Sequence, residues 1–327
     1  MATQLSRYPS LASLAGGDLL SSAGLNAEQT RDLLLLAADL KAGRLTVSHP
    51  GRNLGLIFTK ASTRTRVSFT VAMARLGGQT IDLNPSVTQV GRGEPVPDTA
   101  RVLSRYVDAL AIRTFAQEEL EAYAHWASVP VINALTDLEH PCQALADYLT
   151  MAETFAGTAD AGLALEHLQG LTLAYVGDGN NVAHSLMLCG ALLGVNVRIG
   201  CPEGYTPVEA VVQQARELAA GRCSIEVVHE PVAAVRGAQA LYTDVWASMG
   251  QEKEKATRDQ AFAGWRLDEA LLSEADARAI VLHCLPAYRG QEISAGVLEG
   301  SSSRIFDQAE NRLHAQQALL AALLDRP

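Results

Sequence analysis

Short apolar runs set between polar turns recur along this chain. They alternate with longer stretches whose apolar residues fall at helical spacing. Runs of the first kind stand at 54–58, 80–83, 109–112 and 129–132. They are too short for stable helices and rich in branched side chains, so they read as strands. The segment 152–169, rich in Ala and Gly, marks a domain boundary, and Gly170 then precedes a second series at 171–176, 195–200, 224–228, 240–243 and 279–282. A helix is predicted over 27–40 before the first strand, and another over 309–324 at the end. Strand–helix alternation of this kind implies parallel sheets covered by helices on both faces. The expected fold is therefore α/β, with two doubly wound parallel-sheet domains and an interdomain cleft between their strand ends.

The polar motifs sharpen this reading, because they fall just after predicted strands, where open parallel sheets bind ligands. After the first strand comes Ser62-Thr63-Arg64-Thr65-Arg66, followed by helical spacing at Val67, Val71 and Ala74 or Arg75. Backbone N–H groups at a helix start favour an anion. Hydroxyls and a forked guanidinium add charge-assisted bonds suited to phosphate. The competing reading is an ordinary Ser/Thr cap followed by solvated arginines. Arg64 and Arg66 do not share a helix face, so Arg64 is expected to reach the ligand and Arg66 a neighbouring carboxylate. Arg113, closing the run 109–112, needs either an anion or a structural carboxylate partner.

Pro141 suits a first helical turn. His140 and Gln143, three apart, then point the same way and supply groups for a carbonyl oxygen and an N–H₂. The run Gly177-Asp178-Gly179-Asn180-Asn181 starts like a dinucleotide fingerprint, but Val182 stands where the last glycine belongs and no acid ends the next strand. Asn181 is placed instead to grip the carboxylate or amine of a small substrate. Asp244 can hold an ammonium, and Met249-Gly250 gives its loop the character of a lid. His283-Cys284 invites a metal, yet adjacent strand residues point opposite ways and nothing nearby in sequence completes a zinc set, so no metal is expected. Cys284 is either a reactive thiol or a small buried side chain.

Composition narrows the classes. The chain has 327 residues, 48% hydrophobic and 19% charged, with a formal net charge of −10. That length allows two substantial cores. The negative balance argues against nucleic-acid partners, and an anionic substrate would need a local positive pocket. No apolar run approaches the roughly 18–20 residues that span a bilayer, so no membrane partner is expected. The first fourteen residues lack the pattern of a secretory signal. Five cysteines without framework spacing fit reduced thiols in a cytoplasm.

Several motifs keep a common order and spacing over nearly the whole chain. They are the STRTR turn, Gln89 with Gly91-Arg92-Gly93-Glu94-Pro95, Asp98 to Arg105, Arg113, His140-Pro141-Cys142-Gln143, Asp178 to Ser185, DVWASMGQE from Asp244, His283-Cys284-Leu285-Pro286, and Glu310-Asn311-Arg312. Together they resemble the aspartate/ornithine carbamoyltransferase superfamily, most closely its ornithine branch. The resemblance implies a carbamoyl-phosphate domain over 1–150, rejoined by the C-terminal helix 309–327, and an ornithine domain over 151–308. It implies transfer of the carbamoyl group of carbamoyl phosphate to the δ-amine of L-ornithine, giving L-citrulline and phosphate, with no cofactor.

By that resemblance Ser62, Thr63, Arg64, Thr65 and Arg113 bind the phosphate, and His140, Pro141, Cys142 and Gln143 surround the carbamoyl end. Cys284, Leu285 and Arg312 complete that site. Gln89 reaches a neighbouring subunit of a homotrimer with shared sites. Asn181, Asp244, Ser248 and Met249 grip ornithine. Arg64, Arg113, His140, Cys284 and Asp244 are the implied catalytic groups. The family's usual Glu is replaced by Thr59 and again by Thr70, and Glu94 or Asp98 is expected to pair with the arginines instead. Rival readings are transfer to putrescine or an N-acylated ornithine, a non-catalytic ligand sensor, and an oxidoreductase built on the Gly177 turn.

Overall fold

The computed structural model describes residues 5–84, 93–155, 157–158, 162–247, 250 and 252–325. The chain divides into two compact units. Met1–Leu149, Ala159–Gly162 and Asn311–Pro327 form the first, and Thr150–Thr158 with Leu163–Glu310 the second.

The first unit runs α1 (Ala27–Lys41), β1 (Asn53–Phe58), α2 (Arg64–Arg75), β2 (Gln79–Asp82), α3 (Val96–Leu103), β3 (Ala109–Arg113), α4 (Gln117–Trp126), β4 (Val131–Leu135) and the start of α5 (Pro141–Phe155). α1 opens with a capping box between Asn26 and Gln29, which satisfies two N–H groups that a helix start otherwise leaves open. The four strands pair in parallel in the order β2-β1-β3-β4. Leu54, Leu56, Ile57 and residues 109–112 are essentially buried, as the continuous apolar runs require of a sheet covered on both sides. The chain steps outward from β1 to β2, then returns past β1 to start β3. Strand order thus reverses between β1 and β3, and at that seam Arg113 lies opposite Phe58. A register irregularity also falls between Ile112 and Arg113, where Ile112 faces Asn133 and Arg113 faces Leu135. Such irregularities re-aim side chains at strand ends.

Ahead of the second unit's main series, the two-residue strands β5 (Gly157–Thr158) and β6 (Gly162–Leu163) pair with each other, Gly162 counting with the first unit. The main series follows as β7 (Thr172–Val176), α6 (Asn181–Leu193), β8 (Asn196–Gly200), α7 (Glu209–Ala219), β9 (Ile225–Val228), α8 (Pro231–Val235), β10 (Ala240–Thr243), α9 (Lys255–Ala261), α10 (Glu269–Ser273), β11 (Ile280–His283), α11 (Ala295–Leu298) and α12 (Ile305–Leu323). Its five strands are parallel in the order β11-β10-β7-β8-β9. Here the order reverses between β7 and β10. Every residue of α6 after Asn181 is buried, which explains an Ala/Leu-rich helix without a polar face. α12 changes unit along its length, belonging to the second up to Glu310 and to the first from Asn311.

Three expectations need correction in detail. β4 starts at Val131 rather than 129, because Pro130 has no N–H for a ladder. α12 starts at Ile305, four residues early, where Ile305 is fully buried. α2 forms, but it buries Thr65, Phe69, Ala72 and Met73, while Val67 and Val71 stay exposed. Among the described residues, no helix is long and apolar enough to cross a membrane.

Candidate active site

Each reversal of strand order opens a crevice at the strand ends, and both carry the polar motifs. In the first unit, β1 delivers the STRTR turn and β3 delivers Arg113. Thr63 precedes α2 with helical backbone angles and no side-chain cap, so the capping reading of this turn is not what the structure holds. The Thr65 hydroxyl, buried, accepts from Arg113 Nη1 at 3.4 Å and from Arg312 Nη2 at 3.2 Å. Arg113 Nη1 also donates to Ser62 Oγ at 3.3 Å. Arg312 comes from α12, and its Nη1 donates to Gln143 Oε1 at 2.6 Å and lies 3.5 Å from His140 Nε2. The Gln143 amide is set at both ends, since its Nε2 donates to Asp147 Oδ1 at 2.7 Å. Two forked guanidiniums therefore converge on one hydroxyl in the first turn of a twelve-residue helix. Arg64 is exposed on that same turn.

The local field is positive in a chain of negative net charge. Burial, with the charges of Arg312, Arg113 and Arg64, holds the His140 imidazole well below its usual pKa. The ring is neutral at physiological pH and carries one N–H. Arginine only donates, so the Arg312 contact leaves Nε2 as acceptor and the ring proton on Nδ1. Pro141 opens α5 as expected. The Cys142 side chain turns away from this cluster: it is buried, its Sγ donates to the Asn133 carbonyl at 3.5 Å, and burial raises its pKa to about 11. Arg66 pairs with Asp82. Glu94 instead accepts from Thr99, and Asp98 lies near Arg101. For Arg66, the expectation that Glu94 or Asp98 would replace the family's missing carboxylates gives way to Asp82, at the end of neighbouring β2.

In the second unit, β7, β10 and β11 end side by side, with Thr243 opposite both Val176 and His283. Asp244 follows β10, and both its oxygens are engaged: Asn180 Nδ2 donates to Oδ2 at 2.9 Å and Cys284 Sγ to Oδ1 at 3.0 Å. Asn181 is the first residue of α6 and half-buried. Leu285 takes a left-handed φ of +59°, and its N–H donates to His283 Nδ1 at 2.8 Å. His283 Nε2 lies 3.0 Å from Glu292 Oε1, so its proton sits on Nε2. Gln89, Ser248 and Met249 lie outside the described residues.

Asp244, His283 and Cys284 place one potential ligand atom each within 4.8 Å of one another. Neighbouring strand residues thus come closer to a metal set than their alternation suggested. Both ring nitrogens of His283 are nevertheless occupied by Leu285 and Glu292. A metal would have to break one of those bonds, so the donor set does not fit one. The glycine turn is closed to a dinucleotide for a similar local reason. Gly179 N donates to the Tyr205 carbonyl at 2.8 Å, and a Cβ at Gly179 would meet Pro207 N at 2.2 Å. That glycine exists for close packing of two loops and not for a pyrophosphate.

Residues 17–153 match the family model for the carbamoyl-P binding domain of aspartate/ornithine carbamoyltransferase, and residues 169–323 match its Asp/Orn binding domain. The chain belongs to the aspartate/ornithine carbamoyltransferase family. An ornithine carbamoyltransferase of Parasynechococcus marenigrum is 70% identical over 314 residues, which cover 96% of each chain. That of Nostoc punctiforme is 58% identical, covering 96% of this chain and 99% of its own. Among solved structures, the ornithine carbamoyltransferase of Gloeobacter violaceus is 55% identical with a TM-score of 0.84, covering 94% of this chain and 98% of its own. The Pyrococcus furiosus enzyme is 47% identical with a TM-score of 0.88, covering 95% and 98%.

For this carbamoyltransferase, sequence reasoning missed several groups that hold the strand-end loops in place. Asn180 is one, and its position just before a helix was the available signal. Arg258 is another. Its guanidinium is buried, donates to Asp178 Oδ2 at 2.8 Å and to the Trp246 carbonyl at 2.9 Å, and lies over the Tyr205 ring. One side chain thus ties together the loops after β7, β8 and β10. Nothing in its local sequence announced this role. In the first unit Lys60 does comparable work, buried between Asp137 and the Phe115 ring.

Proposed function

We propose that this carbamoyltransferase joins carbamoyl phosphate to the δ-amine of L-ornithine, releasing L-citrulline and phosphate, as a step of arginine biosynthesis. The observation that carries the reading is the convergence of Arg113 and Arg312 on the Thr65 hydroxyl at the start of α2. A compact dianion suits that arrangement: N–H groups at the helix start, hydroxyls and two forks all donate. Ser62, Thr63, Arg64 and Thr65 would cradle the phosphate with Arg113 and Arg312, while His140, Gln143 and the backbone of Pro141 and Cys142 surround the carbamoyl end. Asn181 and Asp244, with Ser248 and Met249, would hold the α-amino and carboxylate groups of ornithine. Cys284 and Leu285 would stand beside the reacting amine.

The chemistry follows from these roles. A neutral δ-amine attacks the carbamoyl carbon, negative charge develops on the carbonyl oxygen, and phosphate departs with the electron pair of the broken C–O bond and takes up the proton shed by the attacking nitrogen. Donors fixed before the reaction stabilise that oxygen without reorganising, commonly by about 3–4 kcal/mol per donor. His140 serves as a neutral donor because its burial, reinforced by the surrounding guanidiniums, disfavours imidazolium. Arg64 and Arg113 carry the charge on the departing phosphate. An ammonium has no lone pair, so the rate should rise with pH until the bound amine is deprotonated, with the Asp244–Cys284 pair placed to receive that proton. The functional unit is proposed to be a homotrimer, with Gln89 serving the site of a neighbouring subunit.

Steady-state citrulline formation tests the assignment. Rates with ornithine should exceed those with putrescine, N-acetylornithine or aspartate. Preference for any of the other three would overturn it, and complete inactivity would favour a ligand sensor.

A further inference from the structure

The second unit sets the direction of its own carboxylate. We propose that Asn180 is a positioning residue for the amino-acid half of the reaction, holding Asp244 in the orientation that meets the substrate's ammonium. The inference rests on the ornithine reading of Asp244 and adds a residue to it.

Asn180 stands just before α6, and its Oδ1 accepts from Val182 N at 3.0 Å, Ala183 N at 3.3 Å and the Tyr175 hydroxyl at 3.3 Å. An amide has one accepting and one donating end. With three donors gathered on the oxygen, the amide cannot turn over, and Nδ2 is left facing Asp244 Oδ2 at 2.9 Å. The Tyr175 hydroxyl is itself fixed, because its ring is fully buried and stacked on Tyr242 with centroids 5.8 Å apart. Asp244 Oδ1 receives the Cys284 thiol from the other side. Two donors arriving from two different strand ends thus define the plane of one carboxylate. Capping α6 does not need the second half of this arrangement. Ser, Thr and Asp cap a helix about as well as Asn, but none brings an N–H₂ donor on the capping group. Asn at this position is explained by Asp244, not by the helix.

That difference makes the test. Asn180→Ser keeps a capping oxygen and removes the donor to Asp244. Provided the wild type turns over ornithine, the variant should raise the KM for ornithine about tenfold, equivalent to ~1.4 kcal/mol, while the KM for carbamoyl phosphate and the melting temperature stay near wild type. An unchanged ornithine KM would return Asn180 to a plain cap. So would a parallel rise in both KM values accompanied by a fall in melting temperature. If Asn180→Ser does not fold, Asn180→Asp keeps the cap and sets a second carboxylate against Asp244; its ornithine KM should rise further, and an unchanged value overturns the proposal. A wild type that makes no citrulline from ornithine would overturn the underlying reading and this inference with it.

Discussion

At the scale of single residues, the site depends on neutral groups held in one state by burial and charged neighbours. His140 is the plainest case. Its folded pKa lies below the usual value of about 6.5, so between the two the unfolded chain binds a proton that the folded chain refuses. Stability from this group is complete above about pH 6.5 and is lost as pH falls toward the depressed folded value. Chemical denaturation of wild type against His140→Gln across that range should therefore show a gap that narrows on acidification. A gap independent of pH would mean that His140 is not held neutral by burial and the charges of Arg312, Arg113 and Arg64. Some of this scale was open to sequence reading, because Arg113, His140 and Gln143 sit where a strand must end and a helix begin. Other parts were not. That Asp82 pairs with Arg66, or that Cys142 faces the Asn133 carbonyl, depends on strand order and register, and neither leaves a mark in the local sequence.

Among the elements, periodicity located the strands closely, since buried parallel strands are short, apolar and sharply bounded by turns. It served less well for α2. Val67 and Val71 have the spacing of a buried stripe, yet the buried face carries Thr65, Phe69, Ala72 and Met73, with Phe69 and Met73 supplying its apolar bulk. The loops between elements depend on buried ties. Arg258 joins the loops after β7, β8 and β10, and removing one partner of a buried ion pair strands the other charge. Arg258→Met should lower the unfolding free energy by about 3–5 kcal/mol in urea titrations. A loss of under about 1 kcal/mol, the range of exposed pairs, would show that Asp178 and the Trp246 carbonyl find other partners.

For the molecule as a whole, each unit repeats one design: a parallel sheet, one reversal of strand order, and polar side chains gathered where the order reverses. This could be foreseen from the alternation of strands and helices and the placing of motifs after strands. The return of the C-terminal helix to the first unit was implied by the family resemblance and not by periodicity, because an amphipathic helix does not state which core each of its turns will join. Arg312 reaches Thr65 only because residues from Asn311 onward belong to the first unit. The proposed sharing of sites between subunits has a direct consequence. Gln89→Ala and Arg64→Ala homo-oligomers should each be nearly inactive, and co-expression of the two chains should restore part of the activity through hybrid sites that contain both native side chains. Failure to recover activity would contradict shared sites.

Everything the protein does in this scheme begins with where the phosphate sits. A crystal of the protein soaked in carbamoyl phosphate should show the phosphoryl oxygens within hydrogen-bonding distance of the first-turn N–H groups of α2, the Thr65 hydroxyl and the guanidiniums of Arg113 and Arg312. Ligand density elsewhere, with those donors still turned on one another, would contradict it.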